Sequence, residues 1–190
     1  MSDILLYILL LLLLIIVLVI FVVSIVAIYF FISSCFMRYP PPIPSSGRLK
    51  DKVLEDICAY LQDKEGLTFM DLGSGWGTLL LPLAKRFPQH RFIGVERAFT
   101  PYAASVLRAH NLPNLHFEHG DIFKTDIKRC DVIFCFLMQK LMDGLTPRLK
   151  ENLRSGAYVY SCRFTCPNWP PERTVSLGTP YETFYVYRQE

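Results

Sequence analysis

Apolar residues crowd the start of this chain and become periodic later. Ile4 to Ile32 is almost wholly Leu, Ile, Val and Phe and carries no charge. About 20 apolar residues cross a bilayer as a helix, so the run is long enough to span with some tilt. No polar face interrupts it, which argues against a half-buried helix of a soluble domain. The rival is a cleavable signal peptide, which wants a basic start, a shorter apolar stretch and a small-residue cleavage site. Here the early charge is Asp3 and no clear A-x-A follows. Residues 1–35 therefore read as an uncleaved transmembrane anchor.

Tyr39-Pro40-Pro41-Pro42-Ile43-Pro44-Ser45-Ser46 places four prolines in five positions. Such a run favours extended polyproline II, so residues 36–46 read as a stiff Pro-rich linker. Ser45 or Ser46 can cap a helix in which Leu49, Val53, Leu54, Ile57, Cys58 and Leu61 recur at helical spacing. Its other face carries Lys50, Lys52, Glu55, Asp56 and Asp63. From Leu67 the pattern alternates. Strands are expected at 67–72, 91–96, 115–118, 131–136 and 157–164. Helices are expected at 78–87, 101–110 and 138–152. Asn168-Trp169-Pro170-Pro171-Glu172 breaks the pattern, and short strands at 173–177 and 182–188 end the chain. Strands alternating with helices imply an α/β layered fold, and 47–190 is one domain's worth of chain.

The densest chemistry is Asp71-Leu72-Gly73-Ser74-Gly75-Trp76-Gly77, followed by Gly94-Val95-Glu96. An apolar strand runs into an acid and a glycine-rich turn, and the next strand ends on a second acid. Glycines let backbone approach a ligand and adopt positive φ, and an acid at the tip of the second strand suits a ribose diol. A dinucleotide fingerprint would be G-x-G-x-x-G, whereas the glycines here are at 73, 75 and 77 and position 78 is threonine. The pattern D-x-G-x-G-x-G resembles motif I of the class I S-adenosylmethionine (AdoMet) methyltransferases. That resemblance implies a Rossmann-like, mostly parallel sheet closed by an antiparallel C-terminal hairpin. It assigns Asp71, Gly73, Ser74, Gly75, Gly77 and Glu96 to the cofactor. Asp121, at the carboxyl end of the third strand, would accept the adenine amino group, and Ile122 would flank the ring. Asp131 stands at the opposite end of its strand and reads as structural. Trp76, where many relatives carry Asp or Asn, either shields the cofactor or packs.

Arg38, Arg48, Lys50 and Lys52 follow the apolar span and no Lys or Arg precedes it. The positive-inside rule then places the domain on the cytoplasmic side of a single-pass protein, or on the equivalent side of an organelle membrane. The net charge of +3 is too small to argue for a nucleic-acid partner. The six cysteines contain no C-x-x-C pair and read as reduced thiols. Among them Cys130, Cys135 and Cys162 lie in apolar strands, as buried core thiols would. His90, His110, His116 and His119 show no ligand spacing, and no metal is expected.

After the fourth strand, Phe134-Cys135-Phe136-Leu137 lacks the (Asp/Asn)-Pro-Pro-(Tyr/Phe) run of enzymes that methylate base or glutamine amino groups. The soluble part is similar instead to the membrane-anchored protein-lysine methyltransferases of the ATP synthase c-subunit and adenine nucleotide translocase type. Pro42-Ile43-Pro44-Ser45, Asp121-Ile122-Phe123-Lys124, Ser161-Cys162-Arg163-Phe164 with Pro167 and Trp169, and Phe184-Tyr185-Val186-Tyr187 carry the likeness. It implies N-methylation of a protein lysine at or near a lipid bilayer. Arg163 and Trp169, just past the fifth strand, are the candidates for the acceptor side; the alternatives are a surface ion pair for Arg163 and core packing under the hairpin for Trp169. No dedicated catalytic base is assigned. The alternatives are a methyltransferase for a lipid or hydrophobic small molecule, and a non-catalytic AdoMet-binding module.

Overall fold

The computed structural model describes residues 2–36 and 47–190. The expected linker at 36–46, with its polyproline stretch and serine cap, lies outside the described residues except for Phe36. The chain divides into two units, Met1–Ile43 and Pro44–Glu190. In the first, helix α1 (Ser2–Phe36) contains the stretch Asp3–Tyr29, long and apolar enough to cross a membrane by length and composition.

The second unit opens with α2 (Gly47–Leu61), which buries Leu49, Val53, Ile57 and Leu61. That four-residue spacing is one helical stripe, and each side chain so buried contributes roughly 1.5–3 kcal/mol. The remaining elements are β1 (Thr68–Leu72), α3 (Leu80–Arg86), β2 (Arg91–Glu96), α4 (Phe99–Ala109), β3 (Leu115–His119), β4 (Val132–Cys135), α5 (Gln139–Asn152), β5 (Tyr158–Cys162), β6 (Arg173–Ser176) and β7 (Thr183–Arg188). They form one seven-stranded sheet in the order β3-β2-β1-β4-β5-β7-β6. The first five strands are parallel, while β7 runs antiparallel to both β5 and β6. This is the sheet the methyltransferase resemblance implies, hairpin included. Among the described residues 163–172 hold no helix, as the short spacing requires.

The boundaries differ from the sequence pattern where the backbone turns. β5 stops at Cys162 rather than 164 because Arg163 has φ +67°, a left-handed conformation incompatible with an extended strand. Helix α3 begins at Leu80 rather than 78, after the turn that holds Gly77 at φ +70°. Two cores flank the sheet. One gathers α2, α3 and the Phe69, Phe92 and Phe117 face. The other gathers α5 with Leu72, Ile133 and Val159.

Two buried polar residues brace the amino ends of the strands. His90 Nδ1 accepts the Leu67 N–H at 3.2 Å, and its Nε2 lies 3.1 Å from the Leu61 carbonyl. That pairing fixes a neutral ring with the proton on Nε2. Asp131 accepts the Thr68 N–H at 2.8 Å and pairs with Arg154.

Candidate functional site

Parallel strands β1, β2 and β3 deliver Asp71, Glu96 and the Asp121 loop to one end of the sheet, at their carboxyl ends. Ligands of open α/β sheets lie outside that end. β1 carries Asp71 in register with Gly94 of β2 and Phe134 of β4. The turn after β1 folds back on β2, since the Gly73 and Ser74 N–H groups both donate to the Val95 carbonyl, at 2.8 and 3.0 Å.

The three turn glycines answer to different neighbours. A Cβ on Gly73 would fall 2.9 Å from Leu137 Cδ2, and one on Gly77 would fall 2.6 Å from Phe117 Cζ. Both are squeezed by the protein's own side chains. Gly75, at φ +52°, has no other atom within 4 Å of where a Cβ would stand, so its face is open. Gly94 is required for a related reason: a Cβ there would strike the Phe117 ring and lie 2.8 Å from Ser74 Oγ. Ser74 Oγ thus faces β2, buried and without a hydrogen-bond partner among the described residues.

Glu96 spans the turn and the start of α4. Its Oε2 accepts the Gly75 N–H at 2.8 Å and its Oε1 accepts the Ala98 N–H at 2.7 Å. Asp71 is 4% exposed, and its carboxylate makes no hydrogen bond to the described residues. Burial, followed by the negative charge of Glu96, raises its pKa from 3.8 to about 8. Burial also pushes the thiols of Cys135 and Cys162 well up, and both feel the charge of Asp71. Thiols so protonated are inert, which agrees with their reading as core residues.

Asp121 Oδ1 accepts the Phe123 N–H at 3.0 Å, and its carbonyl receives the Lys124 and Thr125 N–H groups. The loop is held from α5 by Arg148, whose guanidinium donates to the Ile122 carbonyl at 3.1 Å and to the Thr125 carbonyl. Ile122 is buried against the core. Nothing in the sequence signalled Arg148, because the contact joins residues far apart in the chain.

The two acceptor-side candidates separate. Arg163 follows β5 at the same end as Asp71 and Glu96. Its guanidinium stands 5.1 Å over the Phe136 ring, and its Nε donates to the Tyr181 carbonyl at 2.9 Å. The alternative reading of Arg163, a surface ion pair, is replaced by this stacked cation. Trp169 is not brought to that group. It packs on Tyr187 with ring centroids 5.3 Å apart. It also lines a cavity of about 650 Å³ with Ser155, Gly156 and Gln189, at the amino end of β5. A second cavity of about 510 Å³ opens between Gly66, His90 and Asn114, also at the amino ends of the strands. Both lie away from the glycine turn. His119 is occupied as well, with Nε2 2.8 Å from the Arg97 carbonyl. Among the described residues no cluster of His, Cys, Asp and Glu could hold a metal ion.

These residues fit S-adenosylmethionine. The cofactor presents two cationic centres, a ribose diol and an adenine amino group. The site offers an unpartnered buried carboxylate, a second carboxylate beside an open glycine, and a third on a braced loop.

Comparison with known proteins agrees. A family model described as the ANTKMT methyltransferase domain matches residues 71–173, more than half of the chain. A protein-lysine N-methyltransferase of Saccharolobus islandicus is 26% identical over 157 residues, covering 80% of this chain and 95% of that protein. A lysine N-methyltransferase of the ATP synthase c-subunit, from Rattus norvegicus, is 28% identical over 153 residues, 77% of this chain and 65% of that protein. The chain thus spans less than two thirds of the rat protein's length. Among solved structures, an RNA methyltransferase from Salinibacter ruber in complex with S-adenosyl-L-homocysteine superimposes with a TM-score of 0.66 at 27% identity, over 78% of this chain and 93% of that one. A family match over the site itself, and a like fold holding the demethylated cofactor, lead to one conclusion: the chain is an AdoMet-dependent methyltransferase and belongs to the ANTKMT methyltransferase domain family.

Proposed function

We propose that this enzyme is anchored in a membrane by α1 and methylates the ε-amino group of a protein lysine near the bilayer. The observation that carries the reading is the joint one of family and relatives. The family match covers the cofactor turn, and the relatives from Saccharolobus and rat are protein-lysine methyltransferases. The apolar helix and the basic residues after it support an anchor with the domain on the cytoplasmic or equivalent side.

When bound, S-adenosylmethionine supplies a methyl group already activated on a sulfonium. Asp71 would hold the cationic portion of the cofactor, where a positive charge would favour its ionised form. Glu96 would accept from the ribose hydroxyls while keeping the turn in place. Asp121 and Ile122 would hold the adenine, and Arg148 braces their loop. An in-line transfer then requires mainly alignment and an acceptor amine that has lost its proton. Burial and a neighbouring positive charge both favour neutral lysine. Arg163, stacked on Phe136 at the carboxyl end of β5, supplies that charge. The lysine proton leaves to solvent before transfer, so the site needs no general base.

The test incubates the full chain in membranes with methyl-tritiated AdoMet and a membrane fraction from cells lacking the gene. Label in a protease-sensitive band, mapped by mass spectrometry to a lysine, is the expected result. Label confined to the lipid extract or to RNA overturns the lysine assignment.

A further inference from the structure

Six large apolar side chains of the second unit are strongly exposed: Trp76, Phe99, Val106, Leu107, Met138 and Tyr181. Four of them gather on and beside one helix. Phe99, Val106 and Leu107 belong to α4, with exposures of 69%, 41% and 75%. Phe99, Ala103 and Val106 recur at helical spacing on one stripe, and Leu107 widens it. Trp76, 44% exposed, is tied to the same helix because Arg108 Nη1 donates to its carbonyl at 2.7 Å. The inward face of α4 is satisfied separately, with Pro101, Ser105 and Ala109 buried. The outward face is therefore apolar without serving the domain's own core. Contiguous exposed apolar surface on a protein marks an interaction site.

The charge pattern selects the partner. α4 reads Phe-Thr-Pro-Tyr-Ala-Ala-Ser-Val-Leu-Arg-Ala and holds no acid. Its charged neighbours along the chain are Glu96, whose carboxylate is taken up by the Gly75 and Ala98 N–H groups, and two cations, Arg97 before the helix and Arg108 within it. Phe, Trp and Leu flanked by cations are the composition of a surface that lies in the headgroup region of an anionic bilayer. Phe99 follows Glu96 by three residues and Trp76 adjoins Gly75, so this surface borders the cofactor turn.

We propose that the outer face of α4, together with Trp76, is a second and peripheral membrane contact that seats the cofactor end of the domain on an anionic lipid surface. The proposal rests on the reading of α1 as an anchor. It gives a reason for Trp76, an exposed indole that the cofactor chemistry does not require. A site held at the headgroup level would meet lysines at the membrane boundary of an integral protein rather than on a soluble chain.

The chain contains two tryptophans, and the fold puts them at opposite ends of the sheet, which makes the test direct. Full-length Trp169→Phe and Trp76→Phe proteins are each reconstituted in vesicles of phosphatidylcholine and phosphatidylglycerol bearing brominated acyl chains. Flotation reads the anchor, and tryptophan quenching reads the face. The expected result is flotation of both, with Trp76 emission quenched several-fold more than Trp169 emission. Leu107→Asp or Phe99→Asp in the Trp169→Phe background should abolish that excess while flotation persists. Flotation with equal quenching of the two, or stronger quenching of Trp169, overturns the proposal alone and leaves the apolar face to a protein partner. Loss of flotation overturns the anchor and this proposal with it.

Discussion

Replacing Asp71 by asparagine isolates the electrostatic cost built into the cofactor site. Asp71 is buried without a hydrogen-bond partner among the described residues, and its pKa rises from 3.8 to about 8. Below pH 3.8 the folded and unfolded chains both hold its proton. Between there and about 8 the folded chain keeps a proton that the unfolded chain has released, so stability falls as pH rises, and above about 8 the loss is complete. At pH 7 the interval is about 3 pH units at 1.36 kcal/mol each, or at most about 4 kcal/mol. Asparagine has nearly the shape of the protonated acid and does not titrate. In detergent-solubilised full-length protein without cofactor, Asp71→Asn should therefore match the parent near pH 4 and exceed it progressively toward pH 8. At roughly 2–4 °C per kcal/mol for a domain of this size, the gap at pH 7 is at most about 8–16 °C. Calorimetry supplies the second half of the test. A cation brought to Asp71 restores its ionised form, so AdoMet binding near pH 7 should release close to one proton, seen as a dependence of binding enthalpy on the buffer's ionisation enthalpy. Asp71→Asn should abolish that release and weaken binding. A parent protein equally stable at pH 5 and pH 8, or an Asp71→Asn variant less stable at pH 8, would refute the reasoning.

Gly75→Ala and Gly77→Ala should part company. Both alanines need positive φ, at a cost of about 1 kcal/mol, but only Gly77→Ala also drives a Cβ into Phe117. Thermal unfolding should show Gly77→Ala losing roughly 2–4 kcal/mol, while Gly75→Ala folds with a small loss and binds AdoMet poorly. Arg163→Gly relieves the left-handed backbone but removes the cation over Phe136 and the bond to Tyr181; steady-state kinetics should show impaired use of the acceptor with AdoMet affinity unchanged. Asp131→Ala leaves the Thr68 N–H and Arg154 without their partner, an expected loss of about 1–3 kcal/mol in the melting curve with no change in AdoMet affinity.

The fold was legible because its signals are local. Alternating apolar runs located every strand of the parallel sheet, and glycines at 73, 75 and 77 marked the turn. Most boundaries moved by a residue or two; the end of β5 moved at Arg163, which turns to a positive φ with its side chain held by Phe136 and Tyr181. The positions of the candidate acids were legible and their supports were not. Asp71, Glu96 and Asp121 stand at strand ends, which a pattern of apolar runs locates. Arg148 reaches the Asp121 loop from α5, and Phe117 dictates two glycines from an edge strand; neither contact leaves a mark on spacing. Trp169 misled for the opposite reason. Proximity to β5 in sequence suggested the acceptor side, but the chain after Cys166 turns back along α5, where Lys150 holds the Asn168 carbonyl, and carries the indole to the far end of the sheet.

Glu96 and Asp121 accept hydrogen bonds without ligand and Asp71 accepts none from the described residues, and this asymmetry separates the roles of Glu96 and Asp71. Glu96 spends one lone pair of each oxygen on the N–H groups of Gly75 and Ala98, so it holds the turn in its open form before any cofactor arrives and still has acceptor capacity for a diol. Asp71 has no such partner among the described residues, and burial, followed by the charge of Glu96, raises its pKa to about 8. The shape of the site is thus preorganised while its charge is not, and binding of a cation completes the second. A neutral thioether product, S-adenosylhomocysteine, lacks the sulfonium charge that helps draw the proton from Asp71. Raising the pH toward 9 ionises Asp71 beforehand and should increase the preference for AdoMet over S-adenosylhomocysteine. Competition binding at pH 6 and pH 9 measures that ratio, and an unchanged ratio would show that Asp71 does not sense the sulfonium.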